Sequence, residues 1–132
     1  MCAVRLSYVL LYVADLQSSL AFYRDGVGLE WVDGGQGFAR LRAPGVADGC
    51  LLALHAAPPD RTSRNVQLHF DVPDAAAAQI ELQQRGLRFV GQPRRQPWGA
   101  LVATASDPEG NAVEFVQWLE GTDHQGTGPS PA

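Results

Sequence analysis

The chain has 132 residues, 45% of them hydrophobic and 18% charged, with a formal net charge of −4. That is the length and composition of one ordinary globular domain able to bury a real core, and the acidic balance leaves no whole-chain footprint for a nucleic-acid partner. No apolar run approaches a membrane span and no charged segment leads into an apolar one at the N-terminus, so a cytoplasmic protein with no membrane partner is expected.

From Leu6 to Val13 the residues are rich in Val, Leu and Tyr and alternate as a strand. Val9, Leu11 and Val13 take one face, and Tyr8, Leu10 and Tyr12 the other. Asp15 then stands as an N-cap, and Leu16, Leu20, Tyr23 and Val27 recur at helical spacing until Gly26 and Gly28 stop the helix. Strands are predicted at about 29–32, 38–42 and 50–56, broken by Gly34-Gly35 and by Pro44-Gly45, and residues 58–64 read as a linker. Cys2 and Cys50 lack metal-type spacing, which suits two unpaired thiols in a reducing compartment.

The second half repeats the first. An offset of 59 lays Tyr8 on Gln67, Val13 on Val72 and Asp15 on Asp74, whereas 58 lays Gly28-Leu29 on Gly86-Leu87 and 61 lays Ala53 on Glu114 and Leu54 on Phe115. Two copies of a strand, helix, strand, strand, strand module, with loops of slightly different length, produce that drift. The second helix, about 75–85, is Ala-rich and capped by Asp74. Residues 91–99 read as a loop stiffened by two prolines, with Arg94 and Arg95 to attract an anionic group and Trp98 as a flat apolar plate.

Asp107-Pro108-Glu109-Gly110 is turn chemistry, and the residues after it alternate as a strand. Val113, Phe115 and Gln117 share one face; Ala112, Glu114, Val116 and Trp118 share the other. Glu114 is a lone carboxylate in an apolar strand, and such a group wants a cation, a metal, a hydrogen-bonding ligand or a proton of its own. The tail, residues 120–132 with His124, has little to bury, so it is expected to be disordered and to hold no site.

The run from Tyr12 through Asp15, Phe22 and Tyr23 to Gly28-Leu29, together with Asp107-Pro108-Glu109-Gly110-Asn111 and Glu114-Phe115, resembles the vicinal oxygen chelate superfamily. That superfamily includes glyoxalase I, bleomycin-resistance proteins, fosfomycin-resistance enzymes and extradiol dioxygenases. The resemblance implies an α+β fold: two βαβββ modules, about 5–57 and 65–119 within a single domain 1–119, forming a cup-shaped mixed sheet with helices outside. It places Val9, Leu11 and Val13, and likewise Leu68, Phe70 and Val72, under the helices, and it turns Tyr8, Leu10 and Tyr12, and Gln67, His69 and Asp71, toward the cup.

Metal-dependent members hold a divalent ion such as Zn, Ni, Mn or Fe through one ligand on the first and one on the last strand of each module. The matching positions here are Tyr8, Ala53, Gln67 and Glu114. Gln67 and Glu114 are acceptable ligands, Tyr8 is a poor one and Ala53 has no donor atom, so the resemblance carries the fold without the full ligand set. A substitute set of His55, His69, Gln67 and Glu114 requires each histidine to act two residues beyond a family position, about 7 Å along its strand. Without an ion, Glu114 is expected to accept a hydrogen bond from Tyr8 or from the Gln67 amide, and to serve as a proton donor or as an anchor for a cationic ligand.

The leading reading is a bleomycin-resistance-like protein that binds a small, partly aromatic molecule with no cofactor, through Tyr8, Tyr12, Ala53, Gln67, His69, Trp98, Glu114 and Trp118. The second is a divalent-metal-dependent lyase, thiol transferase or dioxygenase, and the third a protein with a collapsed cup that serves interaction alone. Trp31, Trp118, Phe22 and the tyrosines offer area for an interface as well as a core, so a homodimer is expected.

Overall fold

A computed structural model describes residues 3–119, and the expected tail lies outside them. The chain divides after Asn65 into two compact units. In the first, β1 (Tyr8–Val13) leads through a helix into β2 (Glu30–Gly35), β3 (Phe38–Arg42) and β4 (Leu51–Ala56). The sheet order is β1-β4-β3-β2, with β1 parallel to β4 and the other pairs antiparallel. The second unit runs β5 (Gln67–Asp71), α2 (Ala75–Gln84), β6 (Arg88–Phe89), β7 (Arg94–Gln96), β8 (Ala100–Ser106) and β9 (Ala112–Trp118). Its order, β5-β9-β8-β6 with β7 also on β8, reproduces the first. Again the first strand lies parallel to the last, β5 to β9. The α+β architecture of two βαβββ units is therefore present as expected.

Each unit buries one face of its sheet under its helix. Leu11, Val13, Leu52 and Leu54 are buried in the first unit, and Ala103, Ala105, Val113 and Phe115 in the second. Alternation along the strands makes those the helix-side residues. Phe115 stacks against Phe70 and packs tilted against Phe89, each ring pair 5.8 Å apart between centroids. Burial of a ring of that size contributes about 2–3 kcal/mol. Gln117 sits on this apolar side for a reason. Its Oε1 accepts a hydrogen bond from the Ala75 backbone N–H at 2.9 Å, satisfying a donor at the open start of α2.

The helix starts obey their caps. The Asp15 carboxylate accepts from the Ser18 N–H at 3.1 Å and the Asp74 carboxylate from the Ala77 N–H at 3.0 Å. Beyond Asp15 the chain departs from a plain α-helix. Only Leu16–Leu20 (α1) is α-helical, and Ala21–Val27 continues as a π-helix that ends at Gly28 with φ 97°. In the wider turn Tyr23 and Gly26 are both buried, whereas Val27, the position that uniform α spacing would have buried, is only half-buried.

Four further boundaries differ from the sequence reading. Gly34-Gly35 does not break a strand: it is the end of β2, paired with Ala39 and Phe38, and the turn is Gln36-Gly37 with Gly37 at φ 80°. A side chain at Gly34 would press on the Phe38 carbonyl oxygen at 2.7 Å, so glycine is there for close pairing rather than for a turn. Strand β4 begins at Leu51, one residue past the exposed Cys50. Residues 91–99 are not all loop, because β7 pairs with β8 there. Residues 58–64 do more than link. A single turn of 3-10 helix spans Pro59–Arg61, and Ser63 exchanges two hydrogen bonds with the Tyr12 backbone, 2.8 Å to its hydroxyl and 2.9 Å from its N–H, along the free edge of β1.

The turn into β9 is closed by Asp107, which is buried. Its Oδ1 accepts from the backbone N–H groups of Glu109 at 2.9 Å and Asn111 at 2.8 Å, and its Oδ2 from the Asn111 amide at 3.1 Å. Gly110 completes the turn at φ 87°. Asp107→Ala strands two buried donors and is expected to destabilise the protein by about 2–4 kcal/mol. Asp107→Asn keeps one acceptor and is expected to lose less. Urea denaturation of the two variants checks this, and equal losses would contradict it.

Candidate functional site

The face of each sheet turned away from its helix carries the chemistry. In the second unit the pairing register sets these residues in rows, because residues directly opposite across a ladder share a face. One row is His69, Glu114 and Thr104; the next is Asp71, Val116, Val102 and Arg94; the last includes Trp118, Ala100 and Gln96.

The first row is a connected polar set. Glu114 Oε2 accepts from the Thr104 hydroxyl at 2.9 Å, and Glu114 Oε1 lies 3.3 Å from His69 Nε2. Gln67 Oε1 approaches the same Nε2 at 3.3 Å. The expected hydrogen-bond donors to Glu114 are Tyr8 or the Gln67 amide, whereas its partners here are Thr104 and His69. Register is the cause: the parallel pairing places His69 opposite Glu114 and moves Gln67 to a position opposite Ala112.

The second and third rows form an apolar floor of Ala100, Val102 and Val116, covered by Trp98 and Trp118. The two indole rings lie 5.5 Å apart at 58°, and Trp118 Nε1 donates to Asp71 Oδ1 at 3.0 Å. Trp98 thus packs on Trp118 rather than standing alone as a plate. Arg94 shares the open face, whereas Arg95, opposite Leu101, belongs to the other.

In the first unit the open face is aromatic and cationic. Tyr8, Leu10, Phe38, Arg40, Ala53, Leu54 and His55 line a cavity of about 320 Å³. His55 has the Phe38 ring stacked at 6.4 Å and the Tyr12 ring edge-on at 5.8 Å, and its Nδ1 lies 3.3 Å from the Ala56 carbonyl oxygen. Arg40 opposes Ala53 across the β3/β4 ladder and grips Asp33 with two arms, Nε to Oδ1 at 2.7 Å and Nη2 to Oδ2. The pair holds the Asp33 carboxyl below its usual value, chiefly through the Arg40 hydrogen bond, and raises the Arg40 guanidinium. Glu30 is lowered in the same way by Arg42, 2.9 Å away.

Sequence reasoning missed Thr104, Phe38, Arg40 and Asp33. The alternation of 38–42 put Phe38 and Arg40 on one face, and Thr104 is the lone hydroxyl between Ala103 and Ala105, so the signals were present.

A sequence model of the glyoxalase/bleomycin resistance protein/dioxygenase superfamily matches residues 5–115. The chain belongs to that superfamily. No curated protein matches it. Among solved structures it is similar to a glyoxalase/bleomycin resistance protein/dioxygenase from Nocardioides, with a TM-score of 0.77 and 24% identity over 100% of this chain and 91% of the other, a likeness that shows the fold alone. It is also similar to TnmS3, an antibiotic binding protein from Streptomyces sp. CB03234, with a TM-score of 0.74 and 27% identity over 89% of this chain and 98% of that one. A glyoxalase/bleomycin resistance protein from the same organism gives a TM-score of 0.66 and 28% identity over 86% of this chain and 100% of its own.

The superfamily's metal can be tested against this donor set. At the first unit's two ligand positions stand Tyr8 and Ala53, and the strand next to Ala53 presents the Arg40 guanidinium, a fixed positive charge where a cation would need donors. The second unit offers one imidazole, one carboxylate and one amide oxygen, and Thr104 already occupies one oxygen of that carboxylate. Among the described residues no group of three or more His, Cys, Asp or Glu side chains is placed to hold an ion. The residues do not fit the family's ligand quartet.

Because the folded Asp33 and Glu30 carboxyls sit below their ordinary values, their stabilisation is present above the unfolded values and is lost as pH falls through the folded ones. The melting temperature is therefore expected to decline on acidification below the ordinary carboxylate range. Asp33→Asn is expected to flatten that decline, and thermal melts across an acid pH series test it. An unchanged slope would show that the Arg40 pair does not contribute.

Proposed function

We propose that this superfamily member binds a small, partly aromatic molecule on the open faces of its sheets, without a catalytic metal, as a homodimer in the cytoplasm. One observation carries the reading: at Ala53, a position where metal-dependent relatives hold a ligand, the chain has an aromatic cavity of about 320 Å³ with a guanidinium on its wall. Tyr8, Phe38 and His55 offer flat apolar surface for stacking, and Arg40 adds a cation for ring faces or anionic substituents. The likeness to an antibiotic binding protein supports a small-molecule ligand. Tyr8, Tyr12 and Phe38 on this face are all exposed, aromatic surface that suits a ligand and a second copy of the chain.

Two measurements test it. Purified protein is expected to carry no stoichiometric metal and to show no tight binding of Zn, Ni, Mn or Fe by calorimetry. Equilibrium dialysis with 2-methoxynaphthalene is expected to show saturable binding that Phe38→Ala weakens about tenfold. Stoichiometric metal with micromolar or tighter affinity would replace the reading with the metal-dependent enzyme. Light scattering reads the dimer separately.

A further inference from the structure

Arg40 stands at the cavity of the first unit with one edge of its guanidinium already taken. Register fixes its place: Leu10, Ala53 and Arg40 lie in one row across β1, β4 and β3, and Asp33 on β2 continues the row beyond Arg40. Ala53 is the smallest side chain of that row, and Leu10 and Arg40 stand on either side of it, all three lining the cavity. Asp33, one strand farther out, binds Nε and Nη2 and so holds the guanidinium plane from the side away from Ala53. Nη1 has no hydrogen-bond partner among the described residues. Its two N–H bonds lie in the same plane and point away from the edge that Asp33 occupies.

We infer that Arg40 makes this cavity selective for aromatic acids, its free Nη1 donating to a carboxylate on the ligand's ring. The inference rests on the reading that the cavity binds aromatic small molecules, and it names the group that the ligand must carry. Tyr8, Phe38 and His55 supply flat apolar surface for the ring, and Arg40 is the one lining side chain with a permanent charge. A ring without an acceptor that reaches this wall covers the Nη1 N–H groups and strips their water with nothing in exchange. A carboxylate replaces that water with a charge-assisted bond, and the held plane gives the bond a direction. Asp33 limits the gain, because its charge already balances the guanidinium and repels a second carboxylate from farther away.

The probes are 2-naphthoate and 2-methoxynaphthalene, which share a ring system, compared by equilibrium dialysis at neutral pH, where the first is ionised. The native protein is expected to bind 2-naphthoate roughly tenfold more tightly, a modest ratio for a charge-assisted bond because Asp33 shares the guanidinium and solvent reaches the pair. Arg40→Met, which keeps an unbranched stem at a part-exposed position, is expected to erase the preference while the ether binds no more weakly than before. Proton NMR of the Arg40 guanidinium in the native protein needs no variant: 2-naphthoate is expected to shift the Nη1 protons and slow their exchange, and the ether is not. Equal affinities for the two probes, a preference that survives Arg40→Met, or Nη1 protons indifferent to 2-naphthoate would each overturn the inference and leave aromatic binding intact. Failure of both probes to bind would overturn the binding reading itself, and this inference with it.

Discussion

The parallel pairing of the first strand with the last organises each unit. A parallel ladder cannot be closed by a tight turn, so everything between those strands must cross over and return. The helix is that crossover, and it covers one face, leaving the antiparallel strands to complete the sheet. The pairing also decides which side chains meet. It sets Leu10 opposite Ala53 in the first unit and His69 opposite Glu114 in the second, the same place in the repeat filled with opposite chemistry.

From that one constraint the two open faces have diverged. In the first unit the place is apolar, walled by aromatic rings, with Arg40 beside it held by Asp33. A guanidinium kept in an ion pair stays planar and oriented, and its exposed setting keeps the pair's own contribution to stability small. In the second unit the place is a short chain of hydrogen bonds, hydroxyl to carboxylate to imidazole, next to a floor capped by two indoles. The same frame therefore presents aromatic rings and a guanidinium on one open face and a hydroxyl, carboxylate and imidazole in contact on the other.

Local devices protect the frame. The buried Asp107 cluster locks the entry to β9 and with it the position of Glu114, seven residues on. Ser63 covers the Tyr12 backbone on the otherwise bare edge of β1. Gln117 and the Asp caps satisfy backbone donors at the helix starts, which have no partner within the helix.

Periodicity and internal repetition were enough to read the two βαβββ units, the faces of β1 and β9, and both Asp caps, because these depend on residues near one another in the chain. The π-helical turn at Ala21–Val27, the pairing role of Gly34 and the short strand β7 were not legible, since each is set by what packs against it. So it was with the site. Sequence alone singled out Glu114 and His69 as polar residues on one face, but their partnership with Thr104 and the place of Arg40 beside Ala53 come from strand register, which only tertiary structure decides.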